Sequence, residues 1–334
     1  MMSPGAGSRS KNKKFPAARA VSPGVLVLNL NFSADKTILI PAFEKGRVYR
    51  FSRAISLPGG KGVNVVRALA TLGIAAPVAG FTSGYNGRWI ERELKRNGIR
   101  ALIARHGVGE SRMCLTVVDG RGCSMDFNEE GPAVPPAAQA RFLRLFGRAL
   151  LPGVRLVAVC GRTPAGLGKG FYSALVRAAA GRGCFTAVDV SGPALAEALA
   201  AGVDCIKINR DEFEELSGAP FSPSGFYSFF RGRQARGLQT LIVTGGQAPA
   251  YAASPFGLWR ITPPRLGRLQ SPVGAGDSFM AGFICGFVRG YDFERTLGFA
   301  GGAAASDCLT LGAGFINRAK TLAFARRVRV KKIK

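Results

Sequence analysis

The segment VGAGD, residues 273–277, combines bare backbone with a negative charge directly before an apolar run. Glycines allow backbone N–H groups to converge on one point, and a glycine-rich turn that leads into a helix forms an anion site. A carboxylate repels a bound phosphate, so Asp277 makes better sense as a base that takes a proton from an attacking hydroxyl. For an isolated motif of this kind, an ordinary N-terminal helix cap is the alternative interpretation.

A second glycine turn, GGKG at residues 59–62, also precedes a helical pattern. It is not a Walker A loop, because that motif requires Ser or Thr directly after the lysine. Lys61 could reach an anionic substrate, and Asn64 could hydrogen-bond hydroxyl groups from the first helical turn. Taken alone, a purely structural role for such a turn is equally open.

The composition limits which other chemistry is available. The only histidine is His106, which removes Ser-His-Asp triads and histidine-rich metal sites. The seven cysteines are scattered without any C-x-x-C pair, a pattern typical of buried thiols in a reducing compartment. An enzyme built from this chain therefore works with carboxylates, Lys, Arg and backbone amides.

The chain is strongly basic, with 46 Lys and Arg against 20 Asp and Glu and a net charge of +26. Such a charge attracts any polyanion, from phosphorylated metabolites to RNA. Residues 1–22 predict a basic, disordered tail and residues 319–334 a basic C-terminal segment; we interpret both as solvated, with organelle targeting or nucleic-acid contact as alternatives. No run is apolar enough for a membrane helix, so we expect a soluble, cytoplasmic protein unless the N-terminus is a targeting segment.

Between these ends, short β-branched or Leu-rich runs alternate with longer helical patterns, which is the signal of a parallel sheet covered by helices. We predict one α/β domain over residues 23–318, with a doubly wound, mostly parallel sheet. Two stretches within about 37–57 and 112–128 predict hairpins with turns at EKG and DGRG, and hence a small antiparallel sheet that covers a site or pairs with another subunit. The predicted core strands are 24–32, 76–81, 155–161, 184–191, 205–209 and 238–245, and the predicted helices are 64–73, 86–98, 135–151, 169–183, 192–202, 210–218 and 276–290.

Both glycine motifs resemble signatures of a known family. VGAGDSFMAGF resembles the C-terminal signature of the PfkB (ribokinase-like) carbohydrate kinases, and GGKGVNVVRALATLG resembles their N-terminal signature. NFSADKTI, FNEEGP, DCIKINRDEFEEL and GGAAASDCLTLGAGF are similar to four shorter family segments. The sequences of these motifs are most similar to those of the hexose-phosphate branch, which contains 1-phosphofructokinase and tagatose-6-phosphate kinase. The match spans roughly residues 24–318 and implies a ribokinase-like fold with a β lid.

The resemblance implies an ATP- and Mg²⁺-dependent kinase of a ketohexose phosphate, of the 1-phosphofructokinase, 6-phosphofructokinase or tagatose-6-phosphate kinase type. Asp277 would be the catalytic base, and the backbone amides of Gly274, Ala275 and Gly276 would stabilise charge on the transferred phosphoryl group. The other implied residues are Asp35, Gly59, Gly60, Lys61, Asn64, Arg112 and Glu129 for the sugar phosphate, Lys207, Thr244, Gly246 and Asp307 for the nucleotide, and Asn209 and Glu212 for Mg²⁺ through water.

Five positions depart from the family pattern, and two of them, Pro272 and Ile208, do not touch the chemistry directly. Arg162 stands where related sequences have Ser, Pro249 replaces a loop glycine and loses an N–H, and Asp307 stands where Asn is common. The last two changes could weaken nucleotide binding. Two alternative functions stay open: a kinase-like fold that serves as a nucleic-acid-binding or structural module, and a kinase of an unphosphorylated sugar or nucleoside. The basic residues are dispersed, which disfavours nucleic acid. In several members of the family the lids of two subunits pair, so a homodimer through the lid is a further expectation.

Overall fold

The computed structural model describes residues 24–52, 54–121, 123–267 and 269–334, so the predicted tail over residues 1–22 lies outside the described residues. The strands in these ranges are β1 (Val25–Asn31), β2 (Ser33–Ile40), β3 (Ala54–Gly59), β4 (Val78–Ser83), β5 (Ala101–His106), β6 (Arg112–Asp119), β7 (Ser124–Asn128), β8 (Leu156–Cys160), β9 (Phe185–Asp189), β10 (Cys205–Asn209), β11 (Thr240–Gly245), β12 (Ala248–Ser254), β13 (Gly257–Thr262) and β14 (Arg329–Lys332). The helices are α1 (Lys61–Thr71), α2 (Gly84–Arg96), α3 (Pro136–Ala149), α4 (Phe171–Ala180), α5 (Gly192–Ala200), α6 (Arg210–Ser217), α7 (Pro223–Gln234), α8 (Ala275–Val288), α9 (Phe293–Asp307) and α10 (Arg318–Ala325).

The main sheet confirms the predicted α/β architecture. Its strand order is β14-β13-β12-β11-β10-β9-β8-β1-β4-β5, and the strands from β11 to β5 are all parallel. One apolar cluster joins the sheet to α3–α7 and a second joins its other face to α1, α2, α8 and α9. Every residue of β1 is buried, because helices cover both faces of a parallel sheet.

The basic C-terminal segment, residues 319–334, is packed against the domain and is not the solvated tail that we predicted. It completes α10 and forms β14, which pairs antiparallel with β13 so that Ile261 lies opposite Val330. Thr321 and Val328 are buried. The run RVRVK alternates charged and apolar residues, a pattern that suits an edge strand, where Lys and Arg also deter pairing with other chains.

The small sheet contains both predicted hairpins and one pairing that differs from the prediction. Strands β2 and β3 pair antiparallel, as do β6 and β7, but β2 and β6 in the middle are parallel. They are parallel because the chain passes through the main sheet before it returns to β6. The small sheet is therefore mixed, with the order β3-β2-β6-β7.

This topology brings the two glycine turns to one edge of the molecule. The parallel strands β1, β8, β9, β10 and β11 all end at the same edge of the main sheet. Strand β3 of the small sheet ends at Gly59 and leads into α1, while α8 begins after Gly274 and packs against α1. Among the described residues, no helix has the length and apolar character needed to cross a membrane.

Candidate active site

The side chains of Asp277 and Asn64 are in direct contact. Asn64 Nδ2 donates a 2.8 Å hydrogen bond to Asp277 Oδ2, although 213 residues separate them along the chain. Asn64 lies in α1 directly after the early glycine turn, and Asp277 lies in the first turn of α8. Both side chains are buried. The structure therefore joins the two motifs from which the sequence analysis began.

The start of α8 presents unsatisfied backbone donors. Gly274 has φ +92°, and a Cβ there would lie 2.6 Å from the Cα of Ala313, so this turn requires glycine. Among the described residues, the Gly276 N–H has no acceptor, and the Ala275 N–H makes only a long 3.3 Å bond to the Pro272 carbonyl. Free N–H groups at the positive end of a helix dipole bind anions. The Ala275 and Gly276 N–H groups are thus available to an anion, and the predicted anion hole of Gly274, Ala275 and Gly276 stays a prediction.

The Asp277 carboxylate has the electrostatics of a base. Burial, and after it repulsion from Asp189, raises the pKa of Asp277 to about 6, while Lys61, Asn64 and Lys207 favour the charged form. A group with this pKa is ionised at neutral pH and still accepts a proton readily. Desolvation in a cleft with a specific charge partner is typical of functional carboxylates.

A buried acid that the sequence analysis did not single out, Asp189, bridges two predicted lysines. Its Oδ1 accepts from Lys61 Nζ at 2.8 Å and its Oδ2 from Lys207 Nζ at 2.5 Å. Burial raises the pKa of Asp189, but the two ammonium groups outweigh it and hold that pKa below the usual range. The available signal was a lone acid at the carboxyl end of a buried parallel strand, where open α/β sheets bind ligands.

The two lysines lie near the starts of two helices, Lys207 near α8 and Lys61 near α6. A Cβ on Gly276 would lie 3.5 Å from Lys207 Nζ, so this ammonium is beside the free amides. The Lys61 side chain is 40% exposed, and its Nζ lies 3.9 Å from Glu212 Oε1. Attraction to Asp189 raises the pKa of Lys61. Positive charge therefore lines the region where an anion would meet the amides.

Asp35 lies against the early glycine turn. Ser33 Oγ donates a 2.6 Å hydrogen bond to Asp35 Oδ1, and burial raises the pKa of Asp35. A Cβ on Gly59 would lie 1.9 Å from Asp35 Oδ2, so only glycine permits this approach. Gly60 has φ +103°. The predicted sugar-binding residues Asp35, Gly59 and Gly60 are thus neighbours, and the Asp35 carboxylate lies against the backbone of the glycine turn.

Arg112 and Glu129 lie together where the small sheet meets the main domain. Arg112 makes long 3.4 Å hydrogen bonds to the carbonyls of Asn31 and Glu129, while the Glu129 carboxylate accepts from the Met113 N–H. No described carboxylate lies within ion-pair distance of Arg112, although its charge favours the ionised form of Asp35, so its guanidinium can still bind an anion. Arg162, by contrast, is paired with Glu130 at 3.1 Å.

Arg67 is a buried residue that the sequence analysis missed, and it orients Asn64. Its Nη1 donates to Asn64 Oδ1 at 2.8 Å and to the Ala313 carbonyl, and its Nη2 donates to the Pro58 carbonyl. This leaves the Asn64 Nδ2 group to face Asp277. Burial lowers the pKa of Arg67 to about 10, partly offset by Asp35, Asp307 and Asp277. The signal was an arginine within the apolar helix NVVRALATLG.

The residues predicted for the nucleotide and Mg²⁺ lie along β10, β11 and the start of α6. Asn209 pairs with Thr244 across the strands, and Gly246 follows in the turn. Asn209 and Glu212 form a reciprocal capping box at α6, with both hydrogen bonds at 2.8 Å. The capping hydrogen bond of Glu212 uses its Oε2, so its Oε1 takes no part in the capping box. The described residues contain no cluster of three acidic, His or Cys side chains that could hold a metal alone.

Asp307, predicted for the nucleotide, is buried beneath the Gly274 turn. A Cβ on Gly274 would lie 2.6 Å from Asp307 Oδ2. The Ser278 hydroxyl and Gly314 N–H favour the charged form, but neither carboxylate oxygen has a well-formed hydrogen bond among the described residues. Burial, together with repulsion from Asp277, raises the pKa of Asp307 to about 7. The nucleotide contact of Asp307 stays a prediction.

We expect Asp307→Asn to stabilise the protein at alkaline pH. A pKa raised from 3.8 to about 7 means that the native state holds a proton that the unfolded state has lost, so stability falls as pH rises between these values. About three pH units correspond to at most about 4 kcal/mol. Thermal melts should give Asp307→Asn a higher Tm than wild type at pH 8 and a smaller gain at pH 5. An unchanged or lower Tm at pH 8 would contradict the buried charge.

Comparisons with known proteins identify the family and the fold of this chain. The family model described as pfkB family carbohydrate kinase matches residues 30–320. A 1-phosphofructokinase from Rhodobacter capsulatus is 30% identical, covering 92% of this chain and 97% of the relative, and a tagatose-6-phosphate kinase from Staphylococcus epidermidis is 27% identical, covering 89% and 96%. The crystal structure of phosphofructokinase-2 from Escherichia coli in complex with fructose-6-phosphate has a TM-score of 0.81 at 22% identity and covers 91% of this chain and 98% of that one. The chain belongs to the pfkB family of carbohydrate kinases, and it is a sugar kinase.

Proposed function

We propose that this kinase transfers the γ-phosphoryl group of ATP to a hydroxyl of a ketohexose phosphate. The observation that carries the proposal is the Asn64–Asp277 hydrogen bond beside the free amides of α8, because it unites a hydroxyl-binding group, a base and an anion site. Two curated relatives that cover most of the chain are named as kinases of this substrate class, 1-phosphofructokinase and tagatose-6-phosphate kinase.

In this proposal Asp277 takes the proton of the sugar hydroxyl as that oxygen attacks. The Gly274–Gly276 amides and the Lys207 ammonium stabilise charge on the transferred group, since preorganised donors in a water-poor site act most strongly on developing charge. Asn64, held by Arg67, orients the hydroxyl and the base together. Asp35 binds further hydroxyl groups at the Gly59–Gly60 turn. The main contributions are therefore positioning and electrostatics.

Mg²⁺ fits this site only together with the nucleotide. It prefers oxygen ligands, and it is usually held by one or two carboxylates, water and substrate phosphates. The capping box uses Oε2 of Glu212 and leaves its Oε1, which lies 3.9 Å from Lys61 Nζ, available to water, and Asn209 lies beside it. When bound, the ion would neutralise charge between the phosphates of ATP. A water-mediated contact through Glu212 and Asn209 remains part of the proposal.

The existing phosphate of the substrate is assigned to Lys61 and Arg112. We expect Arg112→Ala to raise KM for the preferred sugar phosphate at least about tenfold, because a charge-assisted, forked contact is lost. KM for ATP and for the corresponding free sugar should change little. Steady-state kinetics with each substrate pair make the comparison. An equal effect on free sugar and sugar phosphate would favour a kinase of an unphosphorylated sugar or nucleoside.

A coupled ADP-release screen tests the proposed function. It measures the purified chain with Mg·ATP across fructose 1-phosphate, fructose 6-phosphate, tagatose 6-phosphate, the free sugars and nucleosides. We expect the highest kcat/KM for one ketohexose phosphate. Asp277→Asn protein purified in the same way controls for contaminating kinases. A clear preference for a free sugar or a nucleoside would overturn the substrate class.

The small sheet supports a homodimer as part of the proposal. Met113, Met125 and Phe127 share one of its faces by register and are 40–54% exposed, which is unusual for large apolar side chains on a monomer. We expect Phe127→Glu to convert a dimer into a monomer in light scattering. Phe256→Glu, in the exposed turn between β12 and β13, is the matched control and should keep the dimer. A wild-type protein that is monomeric at micromolar concentration would contradict this assembly.

A further inference from the structure

The C-terminal basic segment forms one wall of a cavity that the proposed activity does not use. The cavity has a volume of about 670 Å³ and lies where β13 ends and β14 begins. One wall is the turn of residues 262–265, and the other consists of Arg326, Arg327 and Arg329 after α10. With Arg265, four arginines therefore line one concave space.

The positive charge in this cavity has no counter-charge within the described part of the chain. The lining contains no acidic residue, and none of the four arginines forms an ion pair. Arg327 is held in place, because its Nη2 donates to the Arg265 carbonyl at 3.1 Å and its guanidinium lies 5.4 Å from the Phe324 ring centre. Part of the cluster is thus ordered before any ligand binds.

The neighbouring strand register adds a second observation. Arg260 of β13 lies directly opposite Lys331 of β14, and Arg329 lies opposite Thr262 on the same face. Like charges that face each other across strands destabilise a sheet. Of these four residues only Thr262 and Arg329 line the cavity, and Arg260 and Lys331 add positive charge next to it, which favours a bound anion.

We propose that this cavity binds a compact anion that carries at least two phosphate groups. Guanidinium groups bind phosphate oxygens in pairs through their forked donors, and several of them around one space can engage neighbouring phosphates together. The concave shape favours a small ligand over an extended strand of nucleic acid. The inference does not depend on the proposed activity, since the cavity shares none of its lining residues with the candidate active site.

Inorganic pyrophosphate is the probe, and isothermal titration calorimetry of the full chain is the measurement. We expect the double variant Arg326→Gln/Arg329→Gln to lose at least about tenfold in affinity for one site. The double variant Arg231→Gln/Arg236→Gln removes the same charge from exposed positions around α7 and should bind as wild type does. Arg326→Lys/Arg329→Lys keeps the charge without the forked donors and should bind with intermediate affinity.

Three results would overturn the proposal. One is that the cavity variant binds pyrophosphate as tightly as wild type does, which would locate the pyrophosphate elsewhere, for example in the active site. Another is an equal loss in both glutamine variants, which would indicate general attraction to the basic chain. The third concerns RNA as a competitor. If RNA binds more tightly than pyrophosphate, displaces it and no longer binds to the cavity variant, the ligand is an extended polyanion. Melting curves of each variant confirm that a loss of binding reflects the site and not unfolding.

Discussion

Asp277→Asn is expected to lower kcat by about 10²- to 10⁴-fold, the usual contribution of a positioned general base. Asn keeps the shape and can still meet Asn64, but it cannot accept the proton of the attacking hydroxyl. ATP binding should change little, because the free amides of α8 belong to the backbone. Coupled ADP release measures kcat, and calorimetry measures nucleotide affinity. The exposed Asp211 of α6 supplies a control, and Asp211→Asn should retain wild-type kcat.

The pH dependence separates a base from a structural acid at this position. Because the pKa of Asp277 is raised to about 6, wild-type kcat/KM should be constant above that value and fall as the carboxylate is protonated below it. Residual activity of Asp277→Asn should lack this acid limb. Substantial turnover by the variant, with an unchanged pH profile, would remove Asp277 from the role of base.

Asp189→Asn is expected to lower the free energy of unfolding by about 3–5 kcal/mol, the cost of removing one partner from a buried ion pair. The change leaves the Lys207 ammonium, only 5% exposed, without its counter-charge. Chemical denaturation at pH 7 measures the loss. Activity should fall as well, since Asp189 holds the Lys61 and Lys207 ammonium groups in place.

The double variant Asp189→Asn/Lys207→Met tests whether the cost comes from an unpaired charge. Removing both charges should restore a large part of the stability, because the neutral pair no longer buries a lone ion. Activity should not recover with it, since Lys207 lies beside Gly276. An Asp189→Asn protein within about 0.5 kcal/mol of wild type would contradict a buried, charged bridge.

The sequence predicts the elements of the active site better than the contacts between them. Asp277 and Asn64 were both assigned because each follows a glycine turn, a local signal. Asp189 was missed because its function depends on Lys61, which lies 128 residues away along the chain. Arg67 was missed because two of its three partners are backbone carbonyls, which leave no mark in the side-chain pattern. Long-range pairing is decided by topology, which local patterns do not contain.

The same distinction holds for the fold. The buried parallel strands carry continuous apolar runs and were predicted close to their observed bounds. The edge region was not predicted, because β14 consists largely of charged residues and both β14 and α10 gain order from packing on β13 and α9. Helices α7 and α9 were also missed. Helix α9 contains FAGGAAAS, in which Ala300 and Ala303 pack closely on Gly282 of α8, whereas Gly301 and Gly302 weaken the local helical signal.

The most direct test of the account identifies the phosphorylated product. Wild-type protein is incubated with Mg·ATP and the preferred ketohexose phosphate, and ³¹P NMR follows the γ-phosphoryl group. The account predicts a sugar bisphosphate that appears in equal amount to ADP, with no free phosphate above the Asp277→Asn control. ADP accompanied by inorganic phosphate, or transfer only to a sugar that carries no phosphate, would contradict it.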